Sequence, residues 1–213
     1  MAQPISAKNP FLPLVGCAVL YCLVAFTALD ESVSRLFYDE TSASFRFQHH
    51  FVLQDLLHEG ARILVFGFAF GVLAAIPLAR GRTRRALIFT LVSMVVSSAV
   101  VALVKHHSTP YCPYELLRFG GTASGSGQCW PSGHASVGFS LFAVFFALRW
   151  LGSSWANASF WFALLAGLVL TFSQTIRGMH FISHGVYTGL FIWLIDIWLA
   201  RVMLPDAAGA QSR

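Results

Sequence analysis

Residues 80–105 read RGRTRRALIFTLVSMVVSSAVVALVK, and this stretch decides the fold. From Ala86 to Val104 it carries no charged side chain, only Leu, Val, Ile, Phe, Ala and Met interspersed with small hydroxyl residues. About 20 residues at a rise of about 1.5 Å each cross the hydrocarbon of a bilayer. A chain in lipid must satisfy its own backbone hydrogen bonds, so the run is a helix. Arg80, Arg82, Arg84 and Arg85 precede it and Lys105 follows it. A knot of arginines beside a span marks the cytoplasmic side. Lys105 is thereby sent to the outer face.

Five more runs of this kind flank it. They cover Phe11 to Leu29, Gly60 to Leu78, Gly133 to Leu151, Ala158 to Ile176 and Gly185 to Leu204. The expected fold is therefore all-α, a six-transmembrane-helix bundle forming one integral membrane domain over residues 1–213. Composition agrees: 56% of the 213 residues are hydrophobic and 11% are charged, about half the charge of a soluble domain. The net charge of +5 is not arranged as a basic tract with interleaved aromatics, which argues against nucleic acid as a partner. The first run has no small-residue cleavage site and reads as a retained signal anchor. Counting loops from the arginines places both termini in the cytoplasm. It places Asp30 to Glu59, Lys105 to Ser132 and Arg177 to His184 outside. The spans hold almost no charge apart from Asp196, and a transporter's ion path usually needs such residues.

The outer face is chemically specialised. All eight histidines (His49, His50, His58, His106, His107, His134, His180 and His184) lie in or beside outer segments, as do seven of the nine acids. Cys17 and Cys22 fall inside the first span and pack there. Cys112 and Cys129 share one outer loop. Outside a bacterial inner membrane the environment is oxidising. A disulfide there would close about 17 residues and contribute about 3 kcal/mol; two free thiols are the alternative. The mixed segment Phe45 to Glu59 fits either an interfacial helix on the outer leaflet or a loop helix packed over the bundle.

Three outer segments carry chemistry. In Pro131-Ser132-Gly133-His134, Ser132 can cap the fourth span, whose first N–H groups attract an anion. Gly133 lets a ligand approach the backbone, and His134 faces the same place. In the stretch Arg177 to His184, a helix would put Arg177, His180 and His184 on one face. Histidine is a suitable phosphoryl nucleophile, and a second histidine can serve as general acid and base. The spacing of His180 and His184 also matches a helical zinc pair, but no acid lies near in sequence. Lys105 stands at the outer end of its span, and Arg118 offers a planar fork for phosphate oxygens.

Order and spacing of these segments resemble the type 2 phosphatidic acid phosphatase superfamily, which also includes the vanadium haloperoxidases. That family's pattern is Lys-x6-Arg-Pro, then Pro-Ser-Gly-His, then Ser-Arg-x5-His-x3-Asp. Here the first part reads Lys105, six residues, Cys112-Pro113; the second is intact at Pro131 to His134. The third reads Ser173-Gln174, five residues, His180, three residues, His184. The resemblance is firm from Lys105 to His184. It implies His180 as nucleophile, His134 as general acid and then base, and Lys105, Ser132 and the Gly133 N–H as holders of the phosphate oxygens. It implies no metal and no other cofactor. Cys112, Gln174 and His184 depart from the pattern. Arg118 and Arg177 are the candidates to replace the missing positive charge. His184 or Glu115 is the candidate to orient His180 in place of the missing aspartate. The pair Cys112 and Cys129 is similar to a Cys-Pro variant of the superfamily in Gram-negative bacteria, which favours the disulfide.

What this implies is a lipid phosphatase in the bacterial inner membrane with its active site on the periplasmic face. Its partners are the phospholipid bilayer and a lipid phosphate substrate: undecaprenyl diphosphate, phosphatidylglycerophosphate, phosphatidic acid or the 1-phosphate of lipid A. Two other readings stay open, a lipid phosphotransferase using the same phosphohistidine and a catalytically weak lipid-phosphate binder. Any version of the chemistry requires the rings of His134 and His180 within about 10 Å of each other, so that both reach one phosphorus.

Overall fold

The structure, a computed structural model, describes residues 28–204. Five helices among these residues are long and apolar enough to cross a membrane: Val52–Ala75, Gly81–His106, Gly133–Leu151, Ala156–Ile176 and Ile182–Met203. The expected first span lies outside the described residues, except that its last residue, Leu29, opens a short helix α1 (Leu29–Arg35). A two-residue hairpin follows, β1 (Tyr38–Asp39) with β2 (Ser44–Phe45), in which Tyr38 faces Phe45.

The next span begins at Val52, eight residues ahead of its expected start. Its first part, Val52–Gly60, is a π-helix that runs directly into α2 (Ala61–Ala75). The mixed segment before Gly60 is thus not a separate helix. Val52, Leu53, Leu56 and Leu57 prolong the apolar run, while Asp55, His58 and Glu59 sit where a span meets water. Helix α3 (Gly81–His106) starts at the arginines and ends just past Lys105. After two 3₁₀ turns, Pro113–Glu115 and Leu117–Phe119, the fourth span is broken into α4 (Gly133–Phe139) and α5 (Phe142–Leu151). The break falls at Ser140 and Leu141. Ser136 and Ser140 return their hydroxyls to the carbonyls of Gly133 and Val137, a local bonding pattern that bends helices. Helices α6 (Ala156–Ile176) and α7 (Ile182–Met203) complete the bundle.

Small residues let the helices cross closely, as helix packing in lipid requires. A Cβ on Gly138 would lie 2.5 Å from the backbone of Gly167, one on Gly167 would lie 2.2 Å from the ring of Phe139, and one on Gly185 would lie 2.2 Å from Thr171. These contacts lock α4, α6 and α7 together. At one end of the bundle Phe89, Phe146, Trp150 and Leu199 form a core. There the Arg82 guanidinium donates to the Trp150 carbonyl and Arg85 Nε to Met203 O at 2.5 Å. The arginine-bearing start of α3 is therefore tied to the ends of α5 and α7. Ile182, Gly133 and Lys105, at the other ends of α7, α4 and α3, gather at the opposite end. Midway between, buried Asp196 accepts hydrogen bonds from Ser93 (2.5 Å) and Ser97 (3.3 Å) across the α3–α7 interface. Both hydroxyls reach Oδ1, while Oδ2 is buried without a hydrogen-bond partner.

A candidate phosphoryl-transfer site

Four helix ends and one π-turn converge opposite the arginines. The end of α6 is a Schellman motif: Gly178, at φ +72°, is left-handed. The N–H of Met179 bonds Gln174 O at 2.9 Å and that of Gly178 bonds Thr175 O at 3.0 Å. This pattern ends helices at glycine. The chain from Arg177 to Phe181 is consequently a loop, so Arg177, His180 and His184 do not share a helical face as expected from their spacing. They are brought together by the turn instead, and all three are buried. Phe45 covers the turn; a Cβ on Gly178 would lie 2.3 Å from its ring. The N–H of Tyr114 also bonds Gly178 O at 3.1 Å.

His180 and His134 meet here with ring centroids 6.3 Å apart. The rings are thus well within the separation of about 10 Å that lets both imidazoles reach one phosphorus. His184 lies 5.8 Å from His180, edge to face. The charge of Lys105 acts on His134, His180 and His184 alike, so the ammonium is common to the cluster. Ser132 caps α4 by accepting from the Ala135 N–H at 3.4 Å, and its own N–H bonds His184 O at 3.4 Å. The latter bond pins the start of α4 to α7. Gly133 faces open space: a Cβ there would meet nothing within 4 Å.

Cysteines 112 and 129 form a disulfide. Cys129 is fully buried, and its Sγ lies 3.2 Å from His180 Nδ1. A disulfide sulfur can only accept, so Nδ1 of His180 carries the hydrogen and Nε2 keeps its lone pair. Cys129 thus occupies the orienting position for which Glu115 or His184 had been the candidates. Glu115 turns elsewhere, with Oε2 accepting from the Cys112 N–H at 2.7 Å. Cys112, Cys129 and His180 place one ligand atom each within 4.8 Å of one another, yet the two sulfurs are spent on their mutual bond. Burial, first of all, pushes the His180 imidazole well below its ordinary value, and the Lys105 charge adds to this.

The two candidate arginines part company. Arg177 points inward, with Nε on Gln48 O at 2.9 Å, Nη1 on Gln174 Oε1 at 3.3 Å and Nη2 on Gln54 Oε1 at 3.3 Å. Its charge still acts on His134 and His58. Arg118 stays at the rim, 3.5 Å from Glu31. Gln174, in the place of the family's second arginine, serves as an acceptor that aims Arg177.

Three further contributors were not singled out from the sequence. His58, on the π-turn, stacks on His134 with centroids 3.8 Å apart. The confinement of all eight histidines to one face was the signal that could have found it. Gln54 stands one turn before His58 and holds Arg177. Asp30, on α1, accepts from the Ser183 N–H at 3.0 Å and from the Ser183 hydroxyl. It caps α7, which has no cap from its own preceding residue.

A helical protein with five candidate membrane spans, and a cluster of imidazoles and cations gathered at one end of them, belongs among multi-pass membrane proteins. A family model, that of the PAP2 superfamily, matches residues 86–206, more than half of the chain, and the chain belongs to this superfamily. No curated protein and no solved structure matches it. Membership points to phosphatase-type chemistry on a lipid.

Proposed function

We propose that the chain is a lipid phosphatase of the bacterial inner membrane, of the Cys-Pro variant, that hydrolyses a lipid phosphate or diphosphate at the periplasmic face through a phosphohistidine. The single observation that carries this reading is the 6.3 Å separation of His134 and His180. His180 Nε2 attacks phosphorus while His134 gives its proton to the departing oxygen. The P–O bond breaks as the P–N bond forms. Water then attacks the phosphohistidine, His134 takes its proton, and the P–N bond breaks to release phosphate and free His180. Lys105, Ser132 and the Gly133 N–H receive the phosphate oxygens, where fixed donors stabilise the developing charge. Arg177 contributes its charge from behind its glutamine ligands, and Arg118 is a rim residue.

The lipid tail has a path. A cleft of about 270 Å³ lies between α2, α3 and α4, lined by Arg62, Phe66, Met94, Val95 and Val137 among others. Val137 stands one turn along α4 from His134, so the cleft opens within a turn of the proposed site, and we assign the tail to it. The sidedness rests on the four arginines at the far end.

The test is release of free phosphate by the purified protein in detergent, from phosphatidate and from a prenyl diphosphate. Turnover that disappears in His180→Ala supports the reading; no turnover on any lipid phosphate overturns it. Repeating the assay with an acceptor lipid separates hydrolysis from transfer.

A further inference from the structure

We infer that His58 is a positioning residue for the general acid His134, and this rests on the phosphatase reading above. The two rings lie 3.8 Å apart at centroid with planes tilted 37°, closer than any other pair in the cluster. A ring this close limits the orientations open to the His134 imidazole, whose centroid lies 6.3 Å from that of His180, and so aims the proton donor at a leaving oxygen. Glu59 Oε1 lies 2.9 Å from His58 Nδ1, which places a negative charge behind the stack. The charged neighbours that face the pair are Glu59 and Arg62 from its own helix, Lys105 from α3 and Arg177 from the Schellman turn. Three are cations, and Glu59 is the one acid among them, in contact with His58 rather than with His134. The backbone is consistent with this use: His58 is delivered by a π-helical turn, and such turns recur at functional sites because they re-aim a side chain.

A bland alternative is that His58 only fills space at the mouth of the bundle. Leaving-group chemistry distinguishes the two. An alkoxide leaving from phosphatidate needs a proton in the transition state, whereas p-nitrophenolate scarcely does. The parameter to compare is kcat/KM, which stops at transfer to His180 and is blind to the later attack of water. A general acid contributes about 10²–10⁴-fold; a residue acting through it should contribute about tenfold of that.

The experiment measures kcat/KM of the full chain in detergent on dioctanoyl phosphatidate and on p-nitrophenyl phosphate. The variants are His58→Ala and His58→Phe, with His134→Ala as the reference for a lost acid. The expected result is that His58→Ala loses about ten times more on the phosphatidate than on the aryl ester. His58→Phe, which keeps a flat ring against His134, should recover part of that difference. Equal losses on the two esters, or no loss on phosphatidate, would overturn the role while leaving the phosphatase reading intact. An inactive wild-type chain on both esters would overturn both.

Discussion

Replacing Gly133 by alanine should make the protein more stable and less active at once. Its φ is outside the left-handed region and a Cβ would touch nothing within 4 Å, so the folded state accepts the methyl without strain. Alanine in a helical conformation is better than glycine by about 0.5–1 kcal/mol. For a chain of this length that corresponds to a melting-point rise of about 1–4 °C. The same open space is where a phosphate oxygen would approach the Gly133 N–H. A methyl there takes the volume and blocks the donor, and loss of one such donor costs about 10²–10³ in kcat. Differential scanning fluorimetry in detergent reads the first effect and phosphate release from phosphatidate reads the second. A variant that melts lower would mean that the space is needed by the fold. A variant that keeps full turnover would mean that phosphate binds elsewhere. Either outcome would refute the placement.

Removing the disulfide as Cys112→Ala with Cys129→Ala should lower stability by about 3 kcal/mol from loop entropy alone. Turnover should also fall at temperatures where the variant is folded, because His180 Nδ1 loses its sulfur neighbour; a melting point within a degree of wild type would contradict this. The His180 imidazole is held below its ordinary value of 6.5, chiefly by burial. A base depressed in the folded state contributes stability that is complete above pH 6.5 and is lost as pH falls toward the folded value. The melting point should therefore drop on acidification below pH 6.5, and less steeply in His180→Gln; an identical pH profile for the two proteins would remove His180 as the cause. Asp30→Ala takes the cap from α7 and should cost about 1 kcal/mol, with faster hydrogen exchange in the first turn of α7. Unchanged exchange at Ser183 and His184 would show that the cap carries no weight.

How much of this was legible in the sequence depended on the range of the interaction involved. The spans were readable because an apolar run of this length has one solution in lipid. Their edges moved where polar side chains are mixed in, by eight residues at Val52, since the backbone ladder continues after the hydropathy has dropped. Pro131 to His134 was readable because a cap is a local device. The joint placement of Arg177, His180 and His184 was anticipated for the wrong reason: periodicity assumed a helix, and Gly178 stops it. A glycine at that position was a visible stop signal. What could not be read was pairing at long separation. Cys129 reaches His180 across 51 residues and Asp30 reaches Ser183 across 153. His58 stood alone in a mixed segment with no partner at helical spacing to draw notice to it.

The location of the site follows from the same constraint that makes the spans. Within hydrocarbon each backbone N–H must bond inside its own helix, so free donors and left-handed turns survive only where helices end. Lys105 closes α3, where the helix dipole favours a cation. Ser132 and Gly133 open α4, where it favours an anion. The Schellman turn after α6 frees the chain to present His180 at an angle that a continuous helix would forbid. Polar groups deeper in the bundle need dedicated partners, as Asp196 Oδ1 has in Ser93 and Ser97. At the ends, several termini can share one anion. On the proposed function, the loss of two family arginines and an aspartate would therefore be tolerable here in a way it would not be in mid-span. On that reading, Arg177 would restore charge from one turn away, and the aspartate's geometric task would pass to the Cys129 sulfur. That substitute accepts a hydrogen bond but carries no negative charge, so it fixes the direction of His180 without holding an imidazolium in place. A neutral, correctly aimed imidazole is what attack on phosphorus requires.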